Sequence, residues 1–126
     1  MVGVNAVAKL FDLSNRVAIV TGSGRGLGAA IARGLASVGA SVMLCSRTKV
    51  EVERTAAEII CCGGKAAAIV ADTSARTSCQ RLIDQTVSRF GRLDVLVNNA
   101  GIDSIGPAED LTDDAWERVV NTKLKG

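Results

Sequence analysis

The stretch that most limits what this chain can fold into is Val17-Ala18-Ile19-Val20-Thr21-Gly22-Ser23-Gly24-Arg25-Gly26-Leu27-Gly28, an apolar run that breaks into clustered glycines. A short apolar run bounded by turn residues reads as a buried strand. The glycines admit positive φ and a close approach of the backbone to a ligand. Leu27, Ile31, Leu35 and Val38 then recur at helical spacing, with Gly39 where a C-terminal cap glycine belongs. Strand, tight turn and helix in that order aim unpaired helix-start N–H groups at an anion. Gly24, Gly26 and Ala29 fit G-x-G-x-x-G/A, and Thr21-Gly22-x-x-x-Gly26-x-Gly28 is a stricter pattern. The expectation is a dinucleotide-binding turn, against the bland alternative of a glycine loop.

The rest of the chain continues the alternation. Arg16–Val20 is the first expected strand and Ser41–Cys45 the second, so strand, helix and strand form a right-handed βαβ unit with parallel strands. Thr48 and Glu51 make a T-x-x-E capping pair, followed by Val52, Ala56 and Ile59 on one helix face and a stop near Gly63-Gly64. Ala66–Ala71 reads as a third strand. Asp72-Thr73-Ser74 leads into a helix with Leu82, Ile83, Val87 and Phe90 on one side and Gly91 at its end. Leu93–Val97 is a fourth strand, and Asn98-Asn99-Ala100-Gly101 sits at its carboxyl end, where ligands lie in open α/β sheets. Ile102–Asp110 is an expected loop. Thr112 caps a last helix, Asp113 and Asp114 suit its first turn, and Leu111 is placed to staple against Trp116. The fold class expected is α/β: an incomplete, doubly wound Rossmann-type parallel sheet of about four strands in the order 3-2-1-4. Residues 1–14 lack strong periodicity and read as a loosely ordered tail, leaving 15–126 as one domain.

Composition removes several function classes. A chain of 126 residues can bury roughly two-thirds of its unfolded surface, enough for one core. Its net charge of +2 lacks the basic excess of a nucleic-acid binder, so no nucleic-acid partner is expected. No apolar run reaches the roughly eighteen residues of a membrane helix, and residues 1–15 carry no signal-peptide pattern. A cytoplasmic location without membrane attachment is expected. Cys45, Cys61, Cys62 and Cys79 form no C-x-x-C pair, and adjacent Cys61-Cys62 is poor disulfide geometry. Free thiols are the expectation, with a redox-sensing vicinal pair as the alternative. No metal site is expected.

Thr21–Gly28, Asp72 after the third strand and Asn98–Gly101 after the fourth, taken together and in that order, make the chain resemble the amino-terminal half of a short-chain dehydrogenase/reductase. The resemblance covers nearly everything from Asn15 to Gly126. It implies that Gly22, Ser23, Arg25, Gly26, Leu27 and Gly28 hold a cofactor diphosphate. It further implies that Asp72 and Thr73 border the adenine, and that Asn98, Ala100 and Gly101 line the adenosine ribose side. Asp72 has a competing structural role as a helix-start acceptor, and Asn98-Asn99 as a purely structural turn.

Cofactor choice is read from the residues themselves. A site for NAD places an acid about twenty residues beyond the glycines, where it binds the ribose 2′-hydroxyl and repels a 2′-phosphate. Here that position reads Ser46-Arg47. Arg47 can form a charge-assisted fork to a phosphate, Ser46 can donate a hydroxyl, and Arg25 is placed to reach the same group. The expectation is NADP(H) in preference to NAD(H), with both arginines as solvated surface charges as the alternative.

The family pattern also breaks. Its members, as the resemblance implies, use a serine and a Y-x-x-x-K tyrosine and lysine on a carbonyl or secondary alcohol, with hydride transfer to or from the cofactor. This chain has no tyrosine and reaches Gly126 before that segment, so it is expected to be truncated and inactive alone. No catalytic residue is assigned. In the family's W-x-x-V-x-x-x-N-L-K-G pattern, counting from Trp116 puts Lys123 at the asparagine position. Asn121 lies two residues earlier, about 200° around the helix. Lys123 is either the mark of a degenerate site or a replacement tolerated in a complete enzyme. A noncatalytic NADP(H)-binding or interaction module is the alternative function. An unpaired apolar edge at Leu93–Val97 implies association, through that edge or as a homo-oligomer.

Overall fold

The computed structural model describes residues 4–101, 108–110 and 112–124. Four parallel strands, β1 (Val17–Thr21), β2 (Ser41–Ser46), β3 (Lys65–Val70) and β4 (Val95–Val97), form one sheet in the order β3-β2-β1-β4. The helices are α1 (Val4–Leu10), α2 (Gly26–Ser37), α3 (Lys49–Cys61), α4 (Arg76–Phe90) and α5 (Asp113–Lys123). This is the doubly wound α/β arrangement and strand order expected from the sequence. Thr21 pairs with Cys45 and Cys45 with Ile69, so the carboxyl ends of β1, β2 and β3 lie level. Everything that follows those strands arrives at one edge of the sheet.

Strand alternation splits the core in two. Val20, Val42 and Leu44 face one way and pack with Ala32 of α2 and Val52, Ala56 and Ile59 of α3. Ile19, Met43 and Cys45 face the other way, toward Ala71 and Leu82 of α4. Helices α2 and α3 both stop in paired backbone caps. The Ala40 N–H reaches Leu35 O and the Gly39 N–H reaches Ala36 O, while Gly64 and Gly63 repeat the arrangement with Ile59 and Ile60. Gly39 and Gly63 have φ of 102° and 86°, which lets each chain reverse toward the next strand.

Four local expectations change. The buried side of α2 is Gly28, Ala29 and Ala32, whereas Leu27 is 70% exposed. The helix starts so close to the glycine turn that a Cβ on Gly28 would overlap the Gly22 carbonyl, so only glycine fits there. Thr48 is the N-cap of α3, but its side chain makes no capping bond. Ser46 Oγ accepts from the Thr48 N–H at 3.2 Å and donates to Thr48 O at 3.1 Å. In α4 the residues turned inward are Leu82 and Thr86, the latter donating its hydroxyl to Leu82 O at 2.7 Å, while Ile83 and Val87 are exposed. Helix α1 forms where no element was expected, and its residues Ala6–Leu10 are exposed.

The cap on α5 forms as expected, with Thr112 Oγ1 accepting from the Ala115 N–H at 3.1 Å. The Leu111–Trp116 staple and the loop at 102–107 lie outside the described residues, and a single 3-10 turn covers Ala108–Asp110.

Candidate functional site

The glycine turn is built by hydrogen bonds from three directions. Beneath it, the buried Ser23 hydroxyl donates to Val20 O at 2.7 Å and accepts from the Cys45 N–H at 2.9 Å, tying the turn to β1 and β2. From α3, Thr55 Oγ1 donates to Gly24 O at 2.9 Å. From the segment after β4, Asn99 Nδ2 donates to the carbonyls of Thr21 and Gly22, each at 3.2 Å. Thr21 Oγ1 returns the tie by accepting from the N–H groups of Asn99 at 3.0 Å and Ala100 at 2.9 Å. The turn is therefore locked before any ligand arrives, which lowers the ordering cost of binding.

Packing explains two of the glycines. Gly22 has φ of 62°, and a Cβ there would stand 2.8 Å from Ala100 Cα. A Cβ on Gly28 would meet both Gly22 O and Asn99 Nδ2. Arg25 is the N-cap of α2 and offers no side-chain acceptor, so the N–H groups of Gly26, Leu27 and Gly28 in the first helical turn have no capping oxygen. Such a helix start is a ready anion site.

One cleft opens at this edge of the sheet. Gly22 and Arg25 from the turn, Ser46 and Arg47 after β2, Asp72 and Thr73 after β3, and Ala100 and Gly101 after β4 all line it. These are eight of the thirteen residues the sequence assigned to a cofactor. Ser23 sits below the cleft as a support, while Gly26, Leu27 and Gly28 belong to the helix start beside it. Asn98 is exposed and outside the lining; it is Asn99, its neighbour, that grips the turn.

Sequence reasoning missed Thr55, Glu51 and Thr122. Thr55 is fully buried on α3, and only its β-hydroxyl within an otherwise apolar stripe hinted at a partner. Glu51 and Thr122 line the cleft, Glu51 beside Gly24 and Ser46.

Charge in the cleft is mixed. Arg25 and Arg47 favour an anion, whereas Glu51 and Asp72 oppose one. Asp72 Oδ1 accepts from the Ser74 hydroxyl at 2.7 Å and the Ser74 N–H at 3.0 Å. Those bonds, and to a lesser degree Arg47, hold the carboxyl below its usual range. The expected structural role of Asp72 is thus present, and Oδ2 has no partner among the described residues. Cys45 lies in the floor, and burial pushes its thiol up to about 11, so it stands as a neutral wall. All four cysteines are free thiols. No cluster able to hold a metal occurs among the described residues, and no described helix is long and apolar enough to cross a membrane.

Lys123, at the end of α5, comes to the same place from the far side. Its side chain lies against Gly101, so closely that a Cβ on Gly101 would overlap Cδ, Cε and Nζ of the lysine.

Sheet order, a glycine turn leading into a helix start and a cleft at the carboxyl strand ends define a Rossmann-type α/β domain. The sequence model of the short chain dehydrogenase family matches residues 16–126, and the chain belongs to that family. Versicolorin reductase 1 of Dothistroma septosporum is 43% identical over 117 residues, which are 92% of this chain and 44% of that protein. A metagenomic short-chain oxidoreductase in complex with NADP superposes with a TM-score of 0.84 at 38% identity, over 90% of this chain and 52% of that one. A short-chain type dehydrogenase/reductase from Mycobacterium marinum gives a TM-score of 0.89 at 33% identity, over 94% of this chain and 48% of that one. The chain spans about half the length of the relatives it matches.

Proposed function

We propose that this chain is the cofactor-binding part of an NADP(H)-dependent short-chain oxidoreductase that acts on a small carbonyl or secondary alcohol. The observation that carries the reading is the level edge of the sheet, where Arg25 and Arg47 flank one cleft and no acid stands at the end of β2. The open N–H groups of Gly26, Leu27 and Gly28 would hold the diphosphate. Arg47 and Arg25 would hold the 2′-phosphate, Asp72 and Thr73 would border the adenine, and Ala100 and Gly101 would let the ribose approach. Ser46 contributes less than its position promised, because its hydroxyl proton is already given to Thr48 O. Two similar solved structures, one with NADP and a metagenomic blue fluorescent protein with NADPH, support this choice of cofactor. When bound, the nicotinamide supplies or accepts the hydride. The described residues position the cofactor; the family's tyrosine proton donor has no counterpart among these 126 residues, which contain no tyrosine.

Titration with NADPH and NADH tests the reading. NADPH binds more tightly, and Arg47→Ala weakens it roughly ten- to a hundredfold while leaving NADH unchanged, since one charge-assisted bond contributes about 1.5–3 kcal/mol. Equal affinities for the two cofactors overturn the assignment.

A second reading, a noncatalytic NADP(H)-binding or interaction module, is favoured by Lys123 at the family's asparagine position. Sustained NADPH oxidation by the 126-residue chain with a carbonyl substrate excludes it.

A further inference from the structure

The Lys123 ammonium is a cation beside the cleft residue Gly101 that the proposed site does not use. The glycine turn touches the segment after β4, since a Cβ on Gly22 would stand 2.8 Å from Ala100 Cα. Gly101, the next residue, lines the cleft, and the Lys123 stem crosses it with Nζ in the same contact. Lys123 therefore stands beside Gly101, on the segment after β4 that packs against the turn, while Arg47 follows β2. Two further details make the placement specific. Gly101 is the residue type that leaves room for the lysine stem, and Thr122, adjacent in α5, lines the cleft itself. Counted from Trp116, the family pattern has a neutral amide here, which could add no charge.

We infer that Lys123 is a third cofactor-binding cation, directed at the diphosphate common to NADPH and NADH. The inference rests on the nucleotide-site reading above and adds a role that reading does not contain. An ammonium carries its charge to any oxygen within reach without demanding a fork geometry, which suits a flexible diphosphate better than a planar recognition site. Its stem, held against Gly101, loses part of its rotamer freedom before the ligand arrives, so less is lost on binding. Lys123 does not discriminate between the cofactors, because the group it meets is present in both.

The test compares Lys123→Met with Arg47→Ala by titrating the 126-residue chain with NADPH, NADH and adenosine 2′-phosphate. Methionine keeps most of the stem and removes the charge at an exposed position, so the fold is retained. Lys123→Met should weaken NADPH and NADH to the same extent, about three- to tenfold, and leave adenosine 2′-phosphate unchanged. Arg47→Ala should weaken NADPH and adenosine 2′-phosphate and spare NADH. Lys123→Arg should retain both cofactors. Raising salt toward 1 M, where the Debye length falls to about 3 Å, should shrink the difference between Lys123→Met and the parent. Unchanged or tighter binding of both cofactors by Lys123→Met overturns the inference, as does a loss confined to NADPH. If the parent chain binds neither cofactor, the nucleotide-site reading fails as well, an outcome distinct from failure of Lys123 alone.

Discussion

The two faces of the sheet are finished to different degrees. On the side of α2 and α3, Val20, Val42, Leu44 and Val52 are fully buried, and both helices end in paired caps that return the chain to the next strand. On the side of α4 and at the β4 edge, Ile83, Val87 and Leu96 are exposed, and β4 has only three residues. The closed face is made by two consecutive βαβ connections, in which each helix is delivered onto the strands that flank it in sequence. The open face receives only α4 from such a connection, and β4 has one neighbour, β1. Closure thus follows the distance along the chain from which the covering element must come. The cleft sits where these regimes meet, with Glu51 of α3 on the finished side and Cys45, Ala71, Ala100 and Gly101 on the other.

The contrast can be broken most directly by truncating one side chain from each region. Leu44→Ala should cost about 2–5 kcal/mol in urea unfolding, because the cavity lies in a packed core. Leu96→Ala should cost less than about 1 kcal/mol, as its side chain is already half in water. Equal losses would mean that the edge is as well packed as the α2/α3 face.

The join between the regions should give the next effect. Thr21→Val keeps the shape of the side chain but leaves the Ala100 N–H without its acceptor and the Asn99 N–H with Val97 O alone, which should cost about 1–3 kcal/mol. NADPH affinity should fall with it, since the turn is gripped through the same contact. A variant with unchanged melting and affinity would show that Asn99 alone holds the turn.

A smaller, pH-dependent effect lies at the opposite end of the sheet. Asp94 accepts from the Arg92 guanidinium and the Val17 N–H, and these bonds lower its carboxyl below the usual value. A carboxyl with a lowered folded pKa adds stability above its unfolded value of about 3.9, and loses it as pH falls through the folded value. Asp94→Asn should therefore lower the Tm at pH 7, with the difference from the parent closing as pH drops below about 4. A pH-independent difference would mean that the aspartate acts by shape alone.

Much of this was legible in the sequence because the signals are local. The strand run and glycine spacing at Val17–Gly28 predict the turn, and the cap glycines Gly39, Gly63 and Gly91 fall where their helices end. The arrival of Ser46-Arg47, Asp72-Thr73 and Ala100-Gly101 at one end of the sheet follows from the parallel direction of the strands they leave. Less legible were choices that depend on how close two segments come. Periodicity put Leu27 inside and the structure turns it out, because the helix start is pressed against the turn. Thr48 stands at the N-cap of α3 as predicted but makes no capping bond, and its backbone is tied instead to the Ser46 hydroxyl in the turn before the helix.

The sequence by itself determined the family, the sheet order and the glycine turn, since each rests on residues close together in the chain or in a fixed order along it. Only the tertiary structure decided that Asn99 grips the turn, that Thr55 holds it from α3 and that Lys123 lies across Gly101. Those contacts join residues 22 to 78 positions apart, and their distances are set by helix packing on the sheet, which no local pattern records.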